Sequence, residues 1–182
     1  MNQQGAMVFC HGPVRETAFA VPVEITKELK ERGERTMVPL RVLVVDKEED
    51  FRQTLVGRLQ KRELDAVGVG SGEEALALLD KKDFDVVTLG VKMPAMDGVE
   101  VLREMKKKRP LLEVIMLSGC ASVACGVESM RLGAFDYVVK PPDMDELYAK
   151  LQKAYERKSL QEDQVHHARV NEGNDQPPEA RE

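Results

Sequence analysis

The reactive side chains of this chain collect where short apolar runs end. Asp46, Lys47 and Glu48 follow Val42-Leu43-Val44-Val45, and Gly90 follows Val86-Val87-Thr88-Leu89. Ser118 closes Val114-Ile115-Met116-Leu117, and Lys140 closes Tyr137-Val138-Val139. Carboxylates suit a hard cation, while a lysine with a hydroxyl suits the oxygens of an anion. Other constellations fail on inspection. Gly68, Gly70 and Gly72 lead into a helical segment, but Glu73 and Glu74 in its first turn would meet a bound phosphate with like charge. The cluster therefore reads as a strand-to-helix turn rather than a nucleotide loop. Ser118 lacks a histidine partner for hydrolase chemistry, because His11, His166 and His167 all fall in expected tails. Cys10, Cys120 and Cys125 are too few and too irregular for a disulfide framework. Cys120 and Cys125 read as small, half-buried residues flanking a loop, in preference to a thiol switch.

These residues need a scaffold, and the pattern of the chain supplies one. The four runs above and Ala66-Val67-Gly68-Val69 are too short for helices and rich in β-branched residues, which suits strands covered on both faces. Between and after them lie helical segments: Glu49 to Arg62, Gly72 to Leu79, Val99 to Lys108, Ser122 to Arg131 and Met144 to Arg157. Phe51, Leu55 and Leu59 recur at helical spacing, as do Leu147, Leu151 and Ala154, and Ser71 is placed to cap the second helix. Five successive βα units imply a doubly wound α/β sandwich with a parallel sheet and helices on both faces. In such a sheet ligands bind at the carboxyl ends of the strands, where the reactive residues stand.

Composition bounds the rest. A chain of 182 residues with 42% hydrophobic and 32% charged residues supports one ordinary domain with room for tails. The formal charge of -5 gives no electrostatic reason to expect nucleic acid. The basic run Lys106 to Arg109 closes a helix, where it complements the dipole. The absence of a long apolar span argues against a membrane, and the cysteine usage favours a reducing cytoplasm. Residues 1–39 carry scattered Gly and Pro and read as a poorly ordered extension. Met37, just before the first strand, raises the hypothesis of a start codon assigned too early, which the amino-terminal sequence of the native protein settles. The domain is expected over 40–157. Residues 158–182, polar and poor in apolar side chains, read as a disordered tail.

Val-Leu-Val-Val-Asp, Met-Pro-Ala-Met-Asp-Gly, Ile-Met-Leu-Ser-Gly and Gly-Ala-Phe-Asp-Tyr-Val-Val-Lys-Pro, in this order and spacing, resemble the receiver domains of bacterial response regulators over roughly residues 40 to 157. The resemblance implies a five-stranded, (βα)5 flavodoxin-like three-layer sandwich. It also implies an acidic, magnesium-binding pocket in which an aspartate takes a phosphoryl group from a sensor-kinase histidine. Asp46 matches the first of the family's acidic pair, Ser118 the hydroxyl and Lys140 the lysine. Tyr137 matches the aromatic position that reports activation on the face formed by the fourth helix, fifth strand and fifth helix.

Two positions depart from that pattern. Gly90 stands where the family has its phosphate-accepting aspartate, and Lys47 where it has the second acidic residue, a metal ligand. Glycine offers no nucleophile, and a protonated lysine offers a metal no lone pair. The expected outcome is a pocket of Asp46, Lys47, Gly90, Ser118 and Lys140 with no cofactor. Magnesium enters only if the degenerate pocket retains it, through Asp46 and Glu48. Lys47 is expected to pair with Asp46 in the metal's place. Among other carboxylates, Asp85 is expected to be solvated and Asp97 to fix a turn with Gly98.

The leading functional expectation is a stand-alone, non-enzymatic pseudo-receiver of the two-component system, which acts by phosphorylation-independent contacts with a protein. Candidate partners are a sensor histidine kinase, another receiver or a downstream effector, with no nucleic acid and no membrane. A phosphorelay switch phosphorylated at a substitute residue is the alternative. A small flavodoxin-like enzyme or cofactor binder is a third reading, disfavoured because no flavin loop, catalytic dyad or metal cluster is visible.

Overall fold

The computed structural model describes residues 39–93, 95–119 and 123–172. The first 38 residues, with Cys10 and His11, lie outside the described residues, as do Pro94, Cys120 and the stretch after Glu172. Five strands, β1 (Arg41–Val45), β2 (Asp65–Val69), β3 (Val86–Gly90), β4 (Glu113–Ser118) and β5 (Asp136–Val139), alternate with five helices. These are α1 (Glu49–Gln60), α2 (Gly72–Leu79), α3 (Gly98–Lys108), α4 (Val123–Arg131) and α5 (Met144–Glu172). All strand pairs are parallel, in the order β2-β1-β3-β4-β5. Strand order reverses after β2, which opens a crevice between the ends of β1 and β3.

Side chains alternate across the sheet and build two cores. Leu43, Val45, Val87, Leu89, Val114 and Met116 face α2 and α3. Val42, Val44, Val86, Ile115 and Leu117 face Leu55 and Leu59 of α1 and Leu147, Leu151 and Ala154 of α5. The doubly wound, three-layer expectation thus describes the molecule.

Local signals explain the helix starts. Ser71 accepts a hydrogen bond from Glu74 N at 3.2 Å, and Glu74 Oε2 accepts one from Gly70 N at 3.1 Å. Asp97 caps α3 by accepting from Val99 N. Gly98 is required there, because a Cβ would stand 2.2 Å from the Gly90 carbonyl oxygen.

The last helix corrects one boundary. α5 runs to Glu172, so residues 158–172 are helical and not the disordered tail expected from their composition. Its continuation begins with a buried anchor: Lys158 donates to Phe84 O and Asp85 Oδ1, both at 3.0 Å. No described helix is long and apolar enough to cross a membrane.

Candidate functional site

β1 delivers Asp46 to the carboxyl pole of the sheet, where its amide donates to Val69 O at 3.1 Å and its side chain is 1% exposed. Its Oδ1 accepts a hydrogen bond from Glu48 N at 3.0 Å. Its carbonyl accepts one from Arg52 Nη1 at 2.6 Å. Gly68 of β2 and Gly70 just after it make room for that arginine. A Cβ on Gly68 would stand 2.9 Å from Arg52 Cγ, and one on Gly70 3.4 Å from Arg52 Nη1, so the arginine lies across bare backbone. Gly68 and Gly70 therefore make room for a side chain as well as leading into α2, a role beyond the turn expected of them.

Gly90 ends β3 in a buried position, one strand over from Asp46. A Cβ on it would lie 3.0 Å from Asp46 Oδ2 and 3.4 Å from Val45 O. A side chain at position 90 would thus emerge directly against the Asp46 carboxylate. β4 brings Ser118, 2% exposed, to the same pole, and its carbonyl accepts from Lys140 N at 2.7 Å.

Lys140 follows β5, and the Lys140-Pro141 peptide is cis. Its ammonium lies 2.5 Å from Asp46 Oδ2, 3.4 Å from Glu48 Oε1 and 4.2 Å from the centre of the Phe51 ring. The contact with Asp46 is a close ion pair without the angle of a hydrogen bond, so Oδ2 is compensated by charge rather than by a directed donor.

Lys47 does not join this cluster. It is exposed and makes no ion pair among the described residues, so the expected Lys47–Asp46 pair is replaced by Lys140–Asp46. Lys47 is exposed just after β1, while Lys140 comes in from the loop after β5 with 13% of its side chain exposed. Glu48 immediately precedes α1 but makes no side-chain capping bond, and its carboxylate reaches Lys140 instead.

This donor set does not suit a divalent cation. Hard cations take about six or more oxygens. Here Asp46 Oδ2 faces an ammonium, position 90 has no side chain and position 47 carries a cation. No group of three or more potential metal-ligating side chains occurs among the described residues.

Tyr137 is half-buried on β5 and packs toward the core cluster beneath α4. A Cβ on Gly126 would be 3.7 Å from its ring, so the ring sits over the least bulky residue of α4. Nearby, Val127, Met130 and Val139 are exposed apolar side chains. Cys125 is half-buried against the same cluster, whereas His166 and His167 are exposed on the continuation of α5, remote in sequence from the pole.

Two buried carboxylates at the opposite ends of the strands escaped the sequence reading. Asp85, expected to be solvated, is 6% exposed and accepts from Arg41 N, Nε and Nη2 at 3.0, 3.1 and 2.9 Å, and from Lys158. Burial pushes its carboxyl up, but the Arg41 hydrogen bonds, with Lys158, outweigh it and hold the group below the ordinary 3.8. Glu113, 1% exposed, is gripped by Arg157 Nε at 2.5 Å and by Arg157 Nη2. Apart from Asp85 standing just before an apolar run, the sequence carries no local signal of these pairs, because their partners lie 44 and 73 residues away.

Comparison with known proteins identifies the family of this fold. The model of the response regulator receiver domain matches residues 42–152. The chain is 36% identical over 126 residues to the regulatory protein AtoC of Escherichia coli, covering 69% of this chain and 27% of that protein. It is 35% identical over 113 residues to the DNA-binding transcriptional regulator NtrC of Salmonella typhimurium, covering 62% of this chain and 24% of that protein. The chain thus spans about a quarter of the length of these relatives. Among solved structures, the NtrX receiver domain from Brucella abortus superposes with a TM-score of 0.61 at 32% identity, covering 63% of this chain and 98% of that one. A CheY-like receiver domain protein from Methanospirillum hungatei gives a TM-score of 0.65 at 26% identity, covering 68% and 98%.

Proposed function

Because the chain belongs to the receiver-domain family of response regulators, we propose that it serves two-component signalling through protein contacts rather than phosphoryl transfer. One observation carries the reading: Gly90 occupies the buried strand end beside Asp46, where a nucleophilic carboxylate would be needed. Without it there is no oxygen to attack phosphorus at that position. No enzymatic step and no magnesium are assigned to the site.

The contact face is formed by Tyr137, Val139 and the outer side of α4, where Val127 and Met130 are exposed. A sensor histidine kinase, a second receiver or an effector protein in the cytoplasm would engage it. The same reading holds for this receiver within a longer regulator, the arrangement of its relatives. DNA binding, named for NtrC, is not assigned to this domain. Amide hydrogen exchange across α4 and β5, with and without magnesium and a small-molecule phosphodonor, tests the proposal. Unchanged protection is expected; a donor-dependent change at Tyr137 and its neighbours contradicts it.

A further inference from the structure

We infer that Lys140 is a tethered counterion which takes the place of a divalent cation in this pocket and locks the loop after β1 to the loop after β5. The inference rests on the reading of a pocket without phosphoryl chemistry and adds what holds that pocket together.

A carboxylate as buried as Asp46 must be compensated, because an isolated charge out of water is strongly disfavoured. Its Oδ1 has the Glu48 amide, but among the described residues its Oδ2 has no directed donor and is compensated by the Lys140 ammonium. Among the described residues, the groups around that ammonium, Asp46, Glu48 and the Phe51 ring, belong to the segment that leaves β1 and starts α1. Lys140 itself is fixed from the other side, by its amide on the Ser118 carbonyl. The side chain is therefore a strut between the two halves of the pole. The pair also stands where an acceptor side chain would emerge, since a Cβ on Gly90 would be 3.0 Å from the same Oδ2. A divalent cation would have to evict the ammonium from Asp46 and would gain no ligand from position 47 or 90.

The consequence is a domain whose stability ignores magnesium and whose two loops stay joined in one arrangement. Thermal unfolding of the full chain in a magnesium titration at constant ionic strength tests this, together with Lys140→Met, Asp46→Asn and the double variant. The wild type is expected to keep its Tm throughout the titration. Lys140→Met is expected to unfold at lower temperature and to recover part of the loss with magnesium, because Asp46 and Glu48 are then free to take a cation. The double variant is expected to be less destabilised than the sum of the single ones. A saturable rise of the wild-type Tm at millimolar magnesium, or strict additivity of the two substitutions, overturns the inference. Should Lys140→Met fail to fold, the wild-type titration decides alone. A phosphoryl adduct would overturn the functional reading on a separate readout, whereas magnesium sensitivity without an adduct overturns only the strut.

Discussion

At the scale of single residues the pocket is defined by what Gly90 lacks and by what Lys140 does in consequence. The ammonium has no acceptor carboxylate at position 90 to serve, and it stands on Asp46. Adding a carboxylate by Gly90→Asp alone places like charge against Asp46 Oδ2, within about one van der Waals contact of it. Combining it with Lys47→Asp supplies three carboxylates at the pole and restores a metal-ligating set. That double variant is expected to take up one phosphoryl group from a small-molecule donor only when magnesium is present, as read by intact mass. A folded double variant that stays unmodified would show that the pocket has diverged beyond positions 47 and 90.

Among the elements, two helices end in the same way with different residues. In α4, Ala134 N reaches Ser129 O at 3.0 Å and Gly133 N reaches Met130 O at 3.1 Å, with Gly133 at φ 88°. In α1, Leu64 N reaches Leu59 O at 3.3 Å and Glu63 N reaches Gln60 O at 3.0 Å, with Glu63 at φ 63°. Both are Schellman closures, and the left-handed residue favours glycine. Glu63→Gly should therefore stabilise the domain and Gly133→Ala destabilise it, each by about 1 kcal/mol, in denaturant unfolding. The strand starts supply a pH-dependent contribution. Asp85 is held below 3.8 in the folded protein, so its contribution is present above its unfolded pKa and is lost as pH falls through the lower folded value. Asp85→Asn should cost about 3 kcal/mol near neutrality, because it removes the buried negative charge that Arg41 and Lys158 share, and should flatten the loss of stability below about pH 4.

For the molecule as a whole, the layers, the strand runs and the cap at Ser71 were legible because each rests on local periodicity or on a residue three positions away. The α3 start was legible in part: Asp97 and Gly98 were read as a turn and prove to be its cap and first residue. What stayed hidden depends on distant partners. Arg157 and Lys158 grip Glu113, which begins β4, and Asp85, which precedes β3, and this carries α5 past the point where its apolar spacing ends. Lys140 rather than Lys47 stands on Asp46, a matter of loop geometry that no spacing encodes. Amide exchange should mark the division within α5, with strong protection through Lys158 and weak protection over the exposed turn of residues 164–168. On the proposed reading, the receiver fold is retained here without its phosphoryl chemistry. Intact-mass spectrometry after incubation with magnesium and a small-molecule phosphodonor, beside an ordinary receiver, tests it most directly. An unmodified mass is the predicted result; a stoichiometric adduct on this chain would contradict it and identify another residue, Asp46 first, as the acceptor.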